Sequence, residues 1–155
     1  MNNLERVAEY LHSINYMNVL MLLKNKSEVS YIYDTFTFEQ GLEAMKEHGY
    51  TAIPVLSKDE KYVGCVSVSD FLWSLVDYMN NKVKSEKPYL VKDIIKKNYN
   101  PAVRVDVKMD ELLNRSMSQN FIPVTDDRDY FIGIVTRQDI IRSFVGSTQP
   151  SESNA

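Results

Sequence analysis

The stretch IPVLSKDEKYVGCVSVSD, residues 53–70, is read a second time, without a gap, as IPVTDDRDYFIGIVTRQD, residues 122–139. Ile-Pro-Val meets Ile-Pro-Val, Gly64 meets Gly133, Ser67 meets Thr136, and Asp70 meets Asp139. One unit is used twice, and a unit too small to bury a core alone needs its copy beside it. Ile-Pro-Val opens a short apolar strand, whose proline has no N–H to give a ladder and so suits a strand start or edge. A polar turn follows, Ser57 to Lys61 in one copy and Asp126 to Asp129 in the other. A second apolar run, 62–66 or 131–135, completes a predicted β-hairpin. The period then changes. Phe71, Leu72, Leu75 and Val76 recur at helical spacing, as do Ile140, Ile141, Phe144 and Val145. Ser67 and Thr136 therefore stand where a strand hands over to a helix.

Two readings fit Ser67-x-x-Asp70 and Thr136-x-x-Asp139. In one, each is a capping box, with the hydroxyl capping the first turn and the acid reaching back to the backbone. In the other, each is a ligand grip. The helix start offers free N–H groups and a positive dipole end for a phosphate, and the carboxylate accepts two hydrogen bonds from a sugar diol. A single [ST]-x-x-[DE] is common by chance. Its repetition at the same point after the same hairpin favours the grip.

The doubled IPV…G-x-x-[ST]-x-x-D pattern resembles a pair of CBS domains, the family named after cystathionine β-synthase, and the resemblance covers about residues 20 to 145. It implies an α+β fold: two tandem repeats, each β-α-β-β-α, packed as a pseudo-two-fold pair, here with an extra N-terminal helix. It implies a stand-alone module of the bacterial Bateman type. Such pairs commonly bind an adenosine ligand between the repeats: AMP, ADP, ATP, S-adenosylmethionine or cyclic di-AMP. On that pattern Asp70 and Asp139 hold ribose hydroxyls, and Ser67 and Thr136 face ribose or phosphate. Thr51 and Ala52 before Pro54, and Asn120 and Phe121 before Pro123, line the adenine pockets. Tyr31, Ile32 and Val103 supply contacts from the opening strands. The copies are not equivalent: Arg137 follows Thr136, whereas Val68 follows Ser67. One dominant ligand is expected, with its phosphate on Arg137. The resemblance also implies a regulatory module with no catalysis of its own, a homodimer, and signalling to a partner protein whose identity the sequence leaves open. The alternative is a structural module with empty clefts, its motifs serving only as caps.

Around this core the chain divides into an N-terminal helical extension over 1–19, a first repeat over 20–78, a linker over 79–89, a second repeat over 90–145 and a disordered tail over 146–155. Leu4, Val7, Ala8 and Leu11 share one face of a helix predicted over 3–14, which either completes the monomer core or meets a second subunit. Val19 to Leu23 is predicted as extended, Val29 to Tyr33 as a strand, and Thr37 as the cap of a helix ended by Gly49. In the second repeat, Pro101 to Val107 holds the opening strand, and Met109, Leu112, Leu113 and Met117 mark a helix. Leu90, Ile94 and Ile95 suggest a short helix before it. Met45 to Ile53 corresponds to Ser116 to Ile122, so the second copy is two residues shorter there.

The totals exclude several classes. A chain of 155 residues with 44% hydrophobic and 25% charged residues is ordinary for a globular domain. A net charge of −3 argues against a general nucleic-acid or anionic-membrane binder. The connector lysines are interspersed with acids and read as a solvated face. The lone Cys65 excludes a disulfide framework and, in an apolar strand, reads as a buried thiol in a reducing, cytoplasmic setting. Apolar runs are too short to span a bilayer, and no signal peptide is expected. His12 and His48 lack ligand-spaced partners, and no Walker, dinucleotide-binding or nucleophile-elbow motif occurs. The ten tyrosines are scattered without basic interleaving, and Trp73 is expected in the core or an interface.

Overall fold

The computed structural model describes residues 2–16, 18–80, 89–96 and 98–146. Most of the linker expected over 79–89, and nearly all of the tail expected over 146–155, lie outside them, as does the His12 side chain. The helices are α1 (Asn3–Tyr16), α2 (Phe38–His48), α3 (Val68–Met79), α4 (Met109–Ser116) and α5 (Arg137–Gly146). The strands are β1 (Lys24–Asn25), β2 (Ile32–Tyr33), β3 (Ala52–Leu56), β4 (Tyr62–Ser67), β5 (Val103–Arg104), β6 (Phe121–Thr125) and β7 (Phe131–Thr136).

The strand–helix–strand–strand–helix order runs twice, as β2-α2-β3-β4-α3 and β5-α4-β6-β7-α5. In each copy the opening strand pairs in parallel with the first hairpin strand, Ile32 opposite Val55 and Val103 opposite Val124. Both hairpins are antiparallel, with Ala52 opposite Ser67 and Phe121 opposite Thr136. Both are irregular at one place, Val55/Leu56 and Val124/Thr125. Their turns place Glu60 and Asp129 at φ 65° and 68°. The fold is α+β, as expected.

Three local readings need correction. Val19 to Leu23 is not extended: Val19–Met21 forms a 3-10 turn capped by the Asn18 side chain, and the strand comes after it, at Lys24–Asn25. The opening strands are also shorter than predicted. A 3-10 turn at Lys26–Glu28 occupies the approach to β2, leaving only Ile32–Tyr33 paired, and only Val103–Arg104 pairs within 101–107. A strand lasts only while a neighbour supplies a ladder, and apolar composition does not report that length.

The larger surprise is an exchange between the repeats. β1 pairs with β7, so the sheets are β1-β7-β6-β5 and β2-β3-β4. Val19, from before the first repeat, is fully buried in the core of the second with Val103, Leu112, Ile122, Val124, Val135 and Ile140. In return, Val91 and Ile94, from before β5, are buried in the core of the first with Ile32, Met45, Ile53, Val66 and Phe71. Each lead segment thus fills the other repeat's core. The segments match in sequence: VLMLLK over 19–24 and VKDIIK over 91–96 share Val-x-x, two branched apolar residues and Lys. Each contains a 3-10 turn, at Val19–Met21 and Val91–Asp93. The hairpin tips also meet, where the Phe131 N–H donates to the Glu60 carbonyl at 3.0 Å and Lys61 bridges Tyr130.

The helices cap themselves as predicted where the signals are local. Thr37 and Gln40 form a complete capping box on α2, which ends at Gly49. α4 is shorter than α2 by its last turn, where the second copy lacks two residues. Not all apolar positions on the helices are buried. On α3, Phe71 is buried but Leu72, Leu75, Met79 and Trp73 are exposed, Trp73 by 61%. Trp73 is therefore not a core residue of this chain. On α1, Leu4 and Val7 are exposed, so its start does not complete the core.

Candidate ligand-binding site

Asp70 sits at the N-terminus of α3 and is 3% exposed. Its Oδ2 accepts from the Ser67 N–H at 2.8 Å and from the Ser67 hydroxyl at 2.7 Å, and the Asp70 N–H donates back to Ser67 Oγ at 3.3 Å. The first copy is a complete capping box. Its other oxygen, Oδ1, is buried and accepts no aligned hydrogen bond. The Lys96 ammonium lies 2.9 Å from it. At that length the contact is a close ion pair, and its missing hydrogen bond reflects direction rather than distance. Burial pushes the Asp70 carboxyl up, but Lys96 and the Ser67 hydroxyl and amide together outweigh it and hold the group below its ordinary value. The same contact raises Lys96.

The second corner is looser. The Asp139 N–H donates to Thr136 Oγ1 at 3.1 Å, which caps α5. Among the described residues no hydrogen bond returns the Asp139 carboxylate to the Thr136 amide, so the box is half made. The carboxylate is 24% exposed, and among the described residues the cation that faces it is Lys24, with Nζ 3.8 Å from Oδ2. Lys24 and Lys96 hold matching places in the two lead segments. Each motif acid is thus faced by a lysine delivered by the other repeat. Sequence reading missed both lysines. The echo of VLMLLK in VKDIIK was legible, but its partner across the fold was not.

A hollow of about 460 Å3 opens between the repeats. Ala52 and Cys65 belong to the first repeat's hairpin, and Pro101, Arg115, Gln119, Asn120 and Phe121 to the second repeat. Asn98, Tyr99 and Asn100 of the second lead segment also border it. The Cys65 thiol is pushed up to about 12, chiefly by burial, with the negative charge of Asp70 adding to it. Ala52 pairs with Ser67 across the hairpin, so the first repeat's wall of the hollow belongs to the strands that lead to the first corner. Arg115 brings a cation that the sequence did not flag. It donates to the Pro101 carbonyl at 3.2 Å and pairs with Glu111 at 3.3 Å.

Of the expected site residues, the hollow gathers Ala52, Asn120 and Phe121. Thr51 is exposed at the foot of β3, Ser67 and Asp70 form the first corner, and Thr136 and Asp139 form the second. Pro54 and Pro123 are buried inside their strands. Ile32 and Val103 do not turn their side chains to the cleft: both are core residues, because a strand lying between its helix and a neighbouring strand has little free face. Tyr31 packs edge-on against Tyr33 and Phe131, with Lys26 over its ring. Arg137 spends its Nε–H on the Ser116 carbonyl at 2.6 Å, which holds the guanidinium against the end of α4. His48 stacks on Tyr50, and among the described residues no three His, Cys, Asp or Glu side chains converge as a metal site. No described helix is long and apolar enough to cross a membrane.

The CBS domain family matches residues 25–77 and 91–146, and the chain belongs to that family. It is 25% identical over 108 residues to an inosine-5'-monophosphate dehydrogenase of Methanocaldococcus jannaschii, a match that takes in 68% of this chain but 20% of that one. The chain thus spans about a fifth of that relative's length. Its fold matches CbpB solved in complex with c-di-AMP at a TM-score of 0.77, with 19% identity, over 92% of this chain and 94% of that one. It matches CBSX2 of Arabidopsis thaliana, solved in complex with AMP, at a TM-score of 0.70, with 19% identity, over 85% and 98%. At such identity these likenesses establish the fold alone.

Proposed function

We propose that the chain is a non-catalytic regulatory module that senses an adenine nucleotide, such as AMP, ADP, ATP or cyclic di-AMP, between its two CBS repeats and passes the change to a partner protein. The carrying observation is that each Ser/Thr-x-x-Asp corner pairs a carboxylate with a lysine from the opposite repeat: Asp70 with Lys96, and Asp139 with Lys24. A carboxylate accepts hydrogen bonds from a sugar diol and cannot bind phosphate; an ammonium does the reverse. The two together suit a phosphorylated ribonucleoside. The CBS proteins of the same fold that were solved with c-di-AMP and with AMP point the same way.

Ligand bound between the repeats would bridge lead segments that already cross from one to the other, so its binding energy would act on their relative position. We place the module in the cytoplasm, as a homodimer formed through the apolar helix face that includes Trp73. The capping box at Ser67–Asp70 favours a structural reading for the first corner only. Thermal melting with AMP, ADP, ATP and cyclic di-AMP tests the proposal. A nucleotide at a hundred times its Kd adds about 2.7 kcal/mol of stability. Asp139→Ala removes a charged acceptor worth about 1.5–3 kcal/mol, so binding should weaken roughly ten- to a hundredfold. No shift with any of the four nucleotides would leave the structural reading in place.

A further inference from the structure

We propose that Lys96 is an internal counter-ion that keeps the first corner shut, so that the chain takes one nucleotide at Asp139 and a second only when Lys96 leaves Asp70. The inference rests on the nucleotide reading above. It follows from counting acceptors. A carboxylate offers about four lone-pair positions, two on each oxygen. Ser67 fills both on Asp70 Oδ2, with its amide and its hydroxyl. Only Oδ1 remains for a sugar hydroxyl, and the Lys96 ammonium stands 2.9 Å from it. Asp70 is nearly sealed from water, whereas the Lys96 side chain is 61% exposed. The lysine is therefore the mobile partner: it can swing into solvent, and the acid cannot.

Asp139 differs on each count. No hydrogen bond from the described residues reaches its oxygens. Lys24 stands 3.8 Å away, beyond hydrogen-bond reach, and the carboxylate is partly open to solvent. The hollow is lined by Ala52 and Cys65 of the hairpin that ends at Ser67, so the first repeat offers space next to the strands that carry its corner. A ligand that opens it must do two things: give Oδ1 a hydroxyl donor, and give the displaced ammonium a new anion. A ribonucleoside with a 5'-phosphate does both, whereas a nucleoside without phosphate does only the first.

Isothermal titration with AMP on the whole chain tests this, comparing the natural protein with Lys96→Met and Lys96→Gln. The first variant keeps the aliphatic stem, and the second keeps a neutral donor in case the first does not fold. Because displacing Lys96 costs part of the binding energy, the natural protein is expected to take a first AMP and then a second more than tenfold more weakly, and the variants to take two, with the added site within tenfold of the first in affinity. Two equal sites in the natural protein would overturn the latch. So would a single site of unchanged affinity in both variants, although the nucleotide reading would then stand. No binding of AMP, ADP, ATP or cyclic di-AMP to any of the three proteins overturns the nucleotide reading and the latch with it.

Discussion

Gly133 lies directly beneath the backbone of Lys24: a Cβ placed on Gly133 would sit 2.0 Å from the Lys24 carbonyl oxygen. This contact lets the first repeat's lead segment pair with β7. Its counterpart is Gly64, where an added Cβ would meet Ile95 Cγ2 at 2.5 Å. The two glycines matched in sequence because both carry the crossing of a lead segment from the other repeat. Their φ angles, 154° and 157°, also strain a side chain.

The two glycines should differ when replaced. Ile95 can shift its side chain; a paired backbone carbonyl cannot move without breaking the β1–β7 ladder. Gly133→Ala is expected to cost about 2 kcal/mol or more. That corresponds to a Tm lower by about 4–8 °C in a chain of this size. Gly64→Ala should cost clearly less. Thermal melts of the two variants side by side decide it, and equal losses would count against the crossing as the cause.

The first corner should impose a pH dependence on stability. The folded Asp70 carboxyl lies below its ordinary value. Such a group stabilises the fold at pH above its unfolded pKa, and the benefit fades as pH falls through the lower folded value. Asp70→Asn should therefore be less stable than the natural protein at pH 7, by about 1.5–3 kcal/mol, the scale of a hydrogen bond to a charged group. The gap should close as the pH falls below about 3, since Asp is ordinarily half-protonated near 3.9. Urea unfolding at both pH values measures it.

The apolar side of α3 should be where two copies meet. Trp73, Leu72 and Met79 are exposed along it, with Ile141 exposed on α5. Trp73→Glu would place a charge where a dimer would desolvate it. Sedimentation should show a dimer for the natural protein and a monomer for the variant, with unchanged circular dichroism. A monomeric natural protein would remove the dimer from the proposal.

Cys65 should be chemically silent in the folded chain. It is fully buried and its thiol is raised to about 12, so almost no thiolate exists at pH 8. A disulfide reagent should label it slowly in buffer and fully in denaturant. Fast labelling in buffer would show that the hollow opens down to its floor.

The sequence alone determined everything that depends on near neighbours. The two hairpins, the switch from period two to helical period at Ser67 and Thr136, the Thr37 cap and the Gly49 stop are written within a few residues of where they act. The local rule even allowed both readings of Ser67-x-x-Asp70, and the capping box is indeed complete there. Only the tertiary structure decided the rest. It drew Val19 into the second core and Val91 into the first, shortened the opening strands to two paired residues, and set Lys24 opposite Asp139 and Lys96 opposite Asp70. None of these contacts is local: each joins residues 20 or more positions apart in the chain. A side chain's composition reports what it can bind; which residue it meets is settled only when distant segments compete for the same buried surface.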